Sequence, residues 1–148
     1  MRLSSILTVS TLLLSATLAD TATGQDLELT QAPKDAVVYL ISPSHGETVT
    51  SPVTVRFGLE GMGVAPAGIE RDATGHHHLL IDLADDELPP MDRPLPASDQ
   101  VIHFGGGQTE VTLELAPGPH TLQLLLGDYR HVPHAPPLMS ERIEIVVE

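Results

Sequence analysis

Proline and glycine constrain this chain more than any other feature. It carries 13 Pro and 12 Gly in 148 residues, and each Pro inside a helix costs about 3 kcal/mol. Beyond the first twenty or so residues no stretch shows a helical stripe. Short runs rich in Val, Ile and Leu instead alternate with Gly, Pro and Asp at intervals of about eight to fifteen residues. Seven such runs read as strands: Val37 to Ser42, Pro52 to Glu60, His76 to Leu83, Gln100 to Phe104, Thr109 to Leu115, His120 to Gly127, and Glu141 to Val147. Val111, Leu113 and Leu115 alternate with Thr112 and Glu114, and Ile143, Ile145 and Val147 with Arg142, Glu144 and Glu148. Period two with one apolar face is the pattern of antiparallel strands packed on one side. The expected fold is all-β: an immunoglobulin-like antiparallel β-sandwich of about seven strands, occupying residues 37–148 as one domain.

The N-terminus reads differently. Met1 and Arg2 precede an apolar run from Ile6 to Leu14, and Thr17-Leu18-Ala19 closes it with small residues. This is the pattern of a secretory signal peptide over residues 1–19. It is too short for a membrane span, which needs about 20 apolar residues. A periplasmic or secreted location follows as the expectation, with no membrane span once the signal is removed. Residues 20–36 are polar and acidic and read as a flexible leader.

Charge and cysteine usage exclude several functions. With 7 Lys+Arg against 20 Asp+Glu, the formal net charge is −13, so the domain repels a phosphate backbone and no nucleic-acid partner is expected. Without cysteine there is no disulfide framework, thiolate metal site or Cys nucleophile. No Gly-x-Ser-x-Gly elbow is present. Gly105 to Gly107 reads as a hairpin turn between two strands, not as a phosphate loop, which would lead into a helix. Asp85, Asp86 and Glu87 lack the spacing of a calcium loop and read as a solvated acidic segment.

Histidine is the residue with chemistry to offer. The chain has 8: His45, His76, His77, His78, His103, His120, His131 and His134. If seven consecutive strands each reverse direction, their connections alternate between the two ends of the sandwich. His76 to His78, His103, His131 and His134 then fall at one end, and His45 and His120 at the other. In an immunoglobulin-like sandwich the third and sixth strands are neighbours, which sets the triplet beside Asp128 and His131. Strand alternation turns His77 toward the core and leaves His76 and His78 free to point together. Neutral imidazole suits copper and zinc. The expected ligands of a copper or zinc ion are therefore His76, His78, His131 and His134, followed by His103, with Asp128 and Met139 as further candidates. Because imidazole binds metal only when deprotonated, affinity should fall between about pH 7 and pH 5.

The segments GHHHLLID (Gly75 to Asp82), HFGGGQTE (His103 to Glu110), HTLQLLLGD (His120 to Asp128) and HVPHAPP (His131 to Pro137), followed by Ser140-Glu141, resemble a bacterial exported family catalogued as domain of unknown function 4399. The resemblance runs from about Val38 to Val147. It implies a small secreted or periplasmic domain and brings no activity or ligand with it. The expected function is an exported metal-binding protein, acting in binding, delivery or buffering and not as an enzyme. The alternative is an immunoglobulin-like interaction module of the cell envelope, with an envelope protein as partner and histidines that serve packing.

Overall fold

The computed structural model describes residues 27–148. The expected signal peptide and the first part of the leader lie outside the described residues. Nine strands follow: β1 (Val37–Ser42), β2 (Thr48–Val49), β3 (Val53–Glu60), β4 (Gly63–Val64), β5 (Thr74–Ile81), β6 (Val101–His103), β7 (Glu110–Leu113), β8 (Gly118–Gly127) and β9 (Ile143–Val147). One short 3₁₀ turn, Asp85–Glu87, sits between β5 and β6. One sheet has the order β1-β3-β7; the other has the order β2-β9-β8-β5-β4, with β6 also paired to β5.

All seven expected strands are present, and every pairing among them is antiparallel. Two additional strands, β2 and β4, pair parallel with β9 and β5. At two residues each, they are too short to carry a periodic signal. The Gly105 to Gly107 expectation needs correction. Those glycines make a turn, with Gly107 N–H donating to Phe104 C=O at 2.9 Å. The flanking strands lie in different sheets, however, so the segment crosses the sandwich and is not a hairpin.

The core follows the pleat. Val53, Val55 and Phe57 from β3 face Leu79 and Ile81 from β5, Leu122 and Leu124 from β8, and Ile143, Ile145 and Val147 from β9. Each such side chain contributes roughly 1.5–3 kcal/mol on burial. Truncating Leu124, which is completely buried, would cost about 2–5 kcal/mol.

β5 is buried on both faces, which is why Leu79, Leu80 and Ile81 form a continuous apolar run. Its outer face is covered by the segment between β5 and β6. Leu95 joins Leu80, Val101 and Leu125 in a second apolar cluster, with Leu88, Met91 and Met139 against it. The expected solvated acidic loop is thus a strap, acidic outside and apolar beneath.

Candidate metal centre

Three histidines reach the centre through strand geometry alone. On β5, His77 turns inward and stacks near Phe57, with ring centroids 5.2 Å apart. His76 and His78 turn outward, following the two-residue period. β6 pairs with β5 in the register His78 to His103, so His103 joins the same outer face. On the other side of β5, His76 stands opposite Gly127 of β8. A Cβ at Gly127 would lie 2.5 Å from Cε1 of His78. Glycine there gives the His78 ring its space.

The fourth histidine arrives on the turn after β8. Oδ1 of Asp128 accepts the backbone N–H of Arg130 (2.8 Å) and of Val132 (3.1 Å). Its Oδ2 accepts Nε (3.1 Å) and Nη2 (2.8 Å) of Arg130. His131 N–H donates back to Asp128 C=O at 2.9 Å. This tight turn holds His131 in the left-handed region, at φ 64°, a strained backbone for a non-glycine residue and one that recurs at functional sites. From the strap side, Leu95 N–H donates to His131 C=O at 2.9 Å.

The result is convergence on one atom. Nδ1 of His131 lies 3.0 Å from Nε2 of His76, 3.2 Å from Nε2 of His78 and 3.0 Å from Nδ1 of His103. A ring nitrogen carries either one proton or one lone pair, so hydrogen bonding cannot satisfy all three contacts at once. Ligand nitrogens of His76, His78 and His131 all lie within 4.8 Å of one another. A tetrahedral ion with nitrogens at about 2.0–2.1 Å has nitrogen–nitrogen edges of about 3.3 Å. Drawing in a cation would therefore require small adjustments of the rings.

Electrostatics keeps these lone pairs bare. Burial, reinforced by the neighbouring imidazoles of His131 and His103, lowers His76 from 6.5 to about 4, with Asp128 opposing. Burial and the rings of His76, His103 and His131 lower His78 to about 2. His131 is lowered too, by burial and by His103. Nε2 of His103 lies 3.0 Å from the Pro96 carbonyl. A carbonyl only accepts, so Nε2 donates there, and in the neutral ring this leaves Nδ1 as the lone pair facing the cluster. By contrast, Nδ1 of His76 and Nδ1 of His78 are buried with no hydrogen-bond partner.

The structure does not bring every expected ligand here. His134 is fully buried, with Nδ1 3.5 Å from Leu126 C=O and Nε2 3.3 Å from Thr74 C=O. The chain after the turn runs back along β8, with Pro133 opposite Gly127, so the next side chain faces the other way. Asp128 spends its carboxylate on the turn. Met139 packs in the cluster beneath the strap. His45 and His120 lie at the far end, where His45 Nδ1 accepts Glu144 N–H at 3.1 Å and His120 Nδ1 meets Asp82 at 2.7 Å. The roles of Gly127, Arg130 and the Pro96 carbonyl escaped the sequence reading. Asp128 two residues before Arg130 was a readable signal, since Asp commonly closes such turns through its own side chain.

The family model for a domain of unknown function, DUF4399, matches residues 55–148. The chain belongs to this family. Comparison with curated proteins and with solved structures finds no match. The DUF4399 match begins within β3, later than the expected Val38, and contains all four converging histidines together with Gly127, Asp128 and Arg130.

Proposed function

We propose that this DUF4399 protein is an exported metal-binding protein that holds copper or zinc through His76, His78, His131 and His103. The observation that carries this reading is the approach of three imidazole nitrogens to Nδ1 of His131 at 3.0–3.2 Å. An all-imidazole donor set suits Zn(II) and Cu(II), while hard cations prefer oxygen. Export rests on the signal-like residues 1–19. We assign binding, delivery or buffering over catalysis. A catalytic zinc keeps three protein ligands and an open position, whereas His103, with Nδ1 3.0 Å from Nδ1 of His131, would offer a fourth imidazole.

Metal analysis of the untagged protein, purified without a nickel column, tests this directly. Near-stoichiometric copper or zinc, or a tight calorimetric titration with either ion, is the expected result. Protein that is metal-free and titrates with neither ion would return the histidines to a packing role and favour the interaction-module reading.

A further inference from the structure

We infer that the segment Thr30 to Ala32 is a positioning arm for the metal centre, and that metal binding in turn locks the arm in place. The inference rests on the reading of the histidine cluster as a metal centre. Its ground is a set of contacts that the centre itself does not need. Thr30 Oγ1 donates to Oδ2 of Asp128 at 2.8 Å. Arg130 Nη2, already on Asp128, also donates to Glu28 C=O at 2.9 Å. Ala135 N–H donates to Thr30 C=O at 2.9 Å, and Ala32 N–H donates to Ala135 C=O at 3.0 Å. Gln31 and Ala135 form a parallel bridge.

The arm therefore grips the His131 loop at both ends, at Asp128 and at Ala135. Between these two points lies the left-handed residue His131, whose backbone keeps its conformation only while its surroundings impose it. The arm itself is lightly held. Leu27, Glu28 and Gln31 are exposed, and a segment with few buried contacts opens locally at low free energy. It also precedes the part of the chain that the family model covers. A weakly docked segment that favours one geometry of a ligand loop is coupled to whatever binds that geometry. The coupling is reciprocal: the factor by which the docked arm strengthens metal binding equals the factor by which metal strengthens docking.

The experiment uses the full chain, with Zn(II) alone as the probe. Thr30→Val keeps the shape and removes the hydroxyl; Thr30→Ser restores a hydroxyl. Changes to groups that orient metal ligands cost about 10–100-fold in affinity. Thr30→Val should therefore weaken Zn(II) binding about tenfold, with Thr30→Ser close to the parent. Amide exchange at Ala32 and Ala135 supplies a readout that simple packing would not move. In the parent protein, Zn(II) should slow exchange at both amides, and in Thr30→Val the slowing should be markedly smaller. Melts in chelator confirm that the variants keep the apo fold, and the exchange measurement on the parent stands whatever they show. If the parent binds Zn(II) tightly while Thr30→Val binds equally well, or while the Ala32 amide ignores the metal, the arm is not coupled and the inference alone fails. A parent that binds no Zn(II) overturns the metal centre and the arm together.

Discussion

The two ends of this sandwich both carry histidines, and they treat them in opposite ways. At one end His76, His78, His103 and His131 meet one another, and burial lowers His76 to about 4 and His78 to about 2. At the other end His120 meets a carboxylate. Burial pulls His120 down, but the Ala116 carbonyl and Asp82 outweigh it and raise its pKa above the usual value. A groove of about 630 Å³ opens beside His45, Asp82 and His120, yet the imidazoles there are occupied by Asp82, Ala116 and Glu144. Open space does not make a metal site. What separates the two ends is whether an imidazole faces another lone pair or a partner that consumes it.

The strongest way to break this contrast is to remove ligands from each end. His76→Ala with His78→Ala should abolish tight Zn(II) or Cu(II) binding. Losing two ligands should exceed the roughly 10–100-fold that outer-shell changes cost. His45→Ala with His120→Ala should leave affinity within about twofold, because neither residue touches the cluster. His134→Ala sharpens the test: it should destabilise the fold, since His134 is fully buried, while leaving metal affinity in the folded protein nearly intact. Calorimetric titration reads the affinities, and melts in chelator separate misfolding from lost ligands. Dependence on the His45 and His120 pair instead would reverse the assignment of the two ends.

The second effect is on acid stability without metal. His76 has a folded pKa of about 4 against an unfolded value near 6.5, so between those values the unfolded chain binds more protons. Stability is then full above about pH 6.5 and is lost as pH falls toward 4, by roughly 3 kcal/mol from His76 alone. Denaturant melts in chelator at pH 7, 5.5 and 4.5 should show this decline, and His76→Ala should flatten it. The same depression moves proton competition for His76 below the pH 7 to 5 window expected from sequence. Zn(II) affinity should therefore fall less between pH 7 and pH 6 than it does for free imidazole. A parent whose apo stability is unchanged from pH 7 to 4.5 would mean that these rings are not buried neutral.

How much of this was legible in the sequence follows from what each feature depends on. The seven strands were readable because short apolar runs bounded by turn residues are local signals, sharpened by clean alternation in two of them, as in Ile143, Ile145 and Val147. Their antiparallel order sorted His76, His78, His103 and His131 to one end. The separation of His77 from its neighbours needed only the two-residue period. His134 was misplaced because a spacing of three residues in a loop fixes no direction; the return of the chain along β8 fixes it, and that pairing is not local. Asp85, Asp86 and Glu87 are solvated as expected, but the apolar underside of the strap went unread for a similar reason. Its charges at Asp85, Asp86 and Glu87 are consecutive, while its anchors Leu88, Met91 and Leu95 acquire meaning only against Leu80 and Leu125.

A smaller effect probes the space around the cluster. Gly127→Ala adds a Cβ 2.5 Å from Cε1 of His78 and 3.1 Å from its Nδ1. Gly127 does not hold a left-handed backbone, so the substitution tests crowding and not backbone strain. Overpacking of this kind costs about 1–3 kcal/mol, and displacing the ring should weaken Zn(II) binding about tenfold. Gly46→Ala, in the turn at the far end, has open space around its Cβ but a φ of 78°. It should lower the melting temperature slightly and leave metal affinity unchanged. Equal affinity in Gly127→Ala and the parent would show that His78 can move without loss, and so is not a ligand.

The smallest effect belongs to the His120 end, and it tests that end on its own terms. Asp82 holds its backbone in the left-handed region at φ 53°, and its Oδ1 accepts Thr121 N–H at 2.8 Å. Asp82→Asn tolerates that conformation and can keep the carbonyl acceptor, so the charge is the main thing removed. A His whose folded pKa is raised contributes stability that is full below the unfolded value and is lost as pH rises through the folded one. The substitution should therefore destabilise the protein more at pH 5.5 than at pH 8.5. The difference should be modest, because Asp82 is exposed and the pair is screened by solvent. In parallel, the His120 ring proton signals followed by NMR should titrate at lower pH than in the parent. Zn(II) affinity should not change, since the altered charge lies at the end of the sandwich away from His131. Equal destabilisation at both pH values would remove the ionised pair from this end, and a change in Zn(II) affinity would mean that the two ends are not independent.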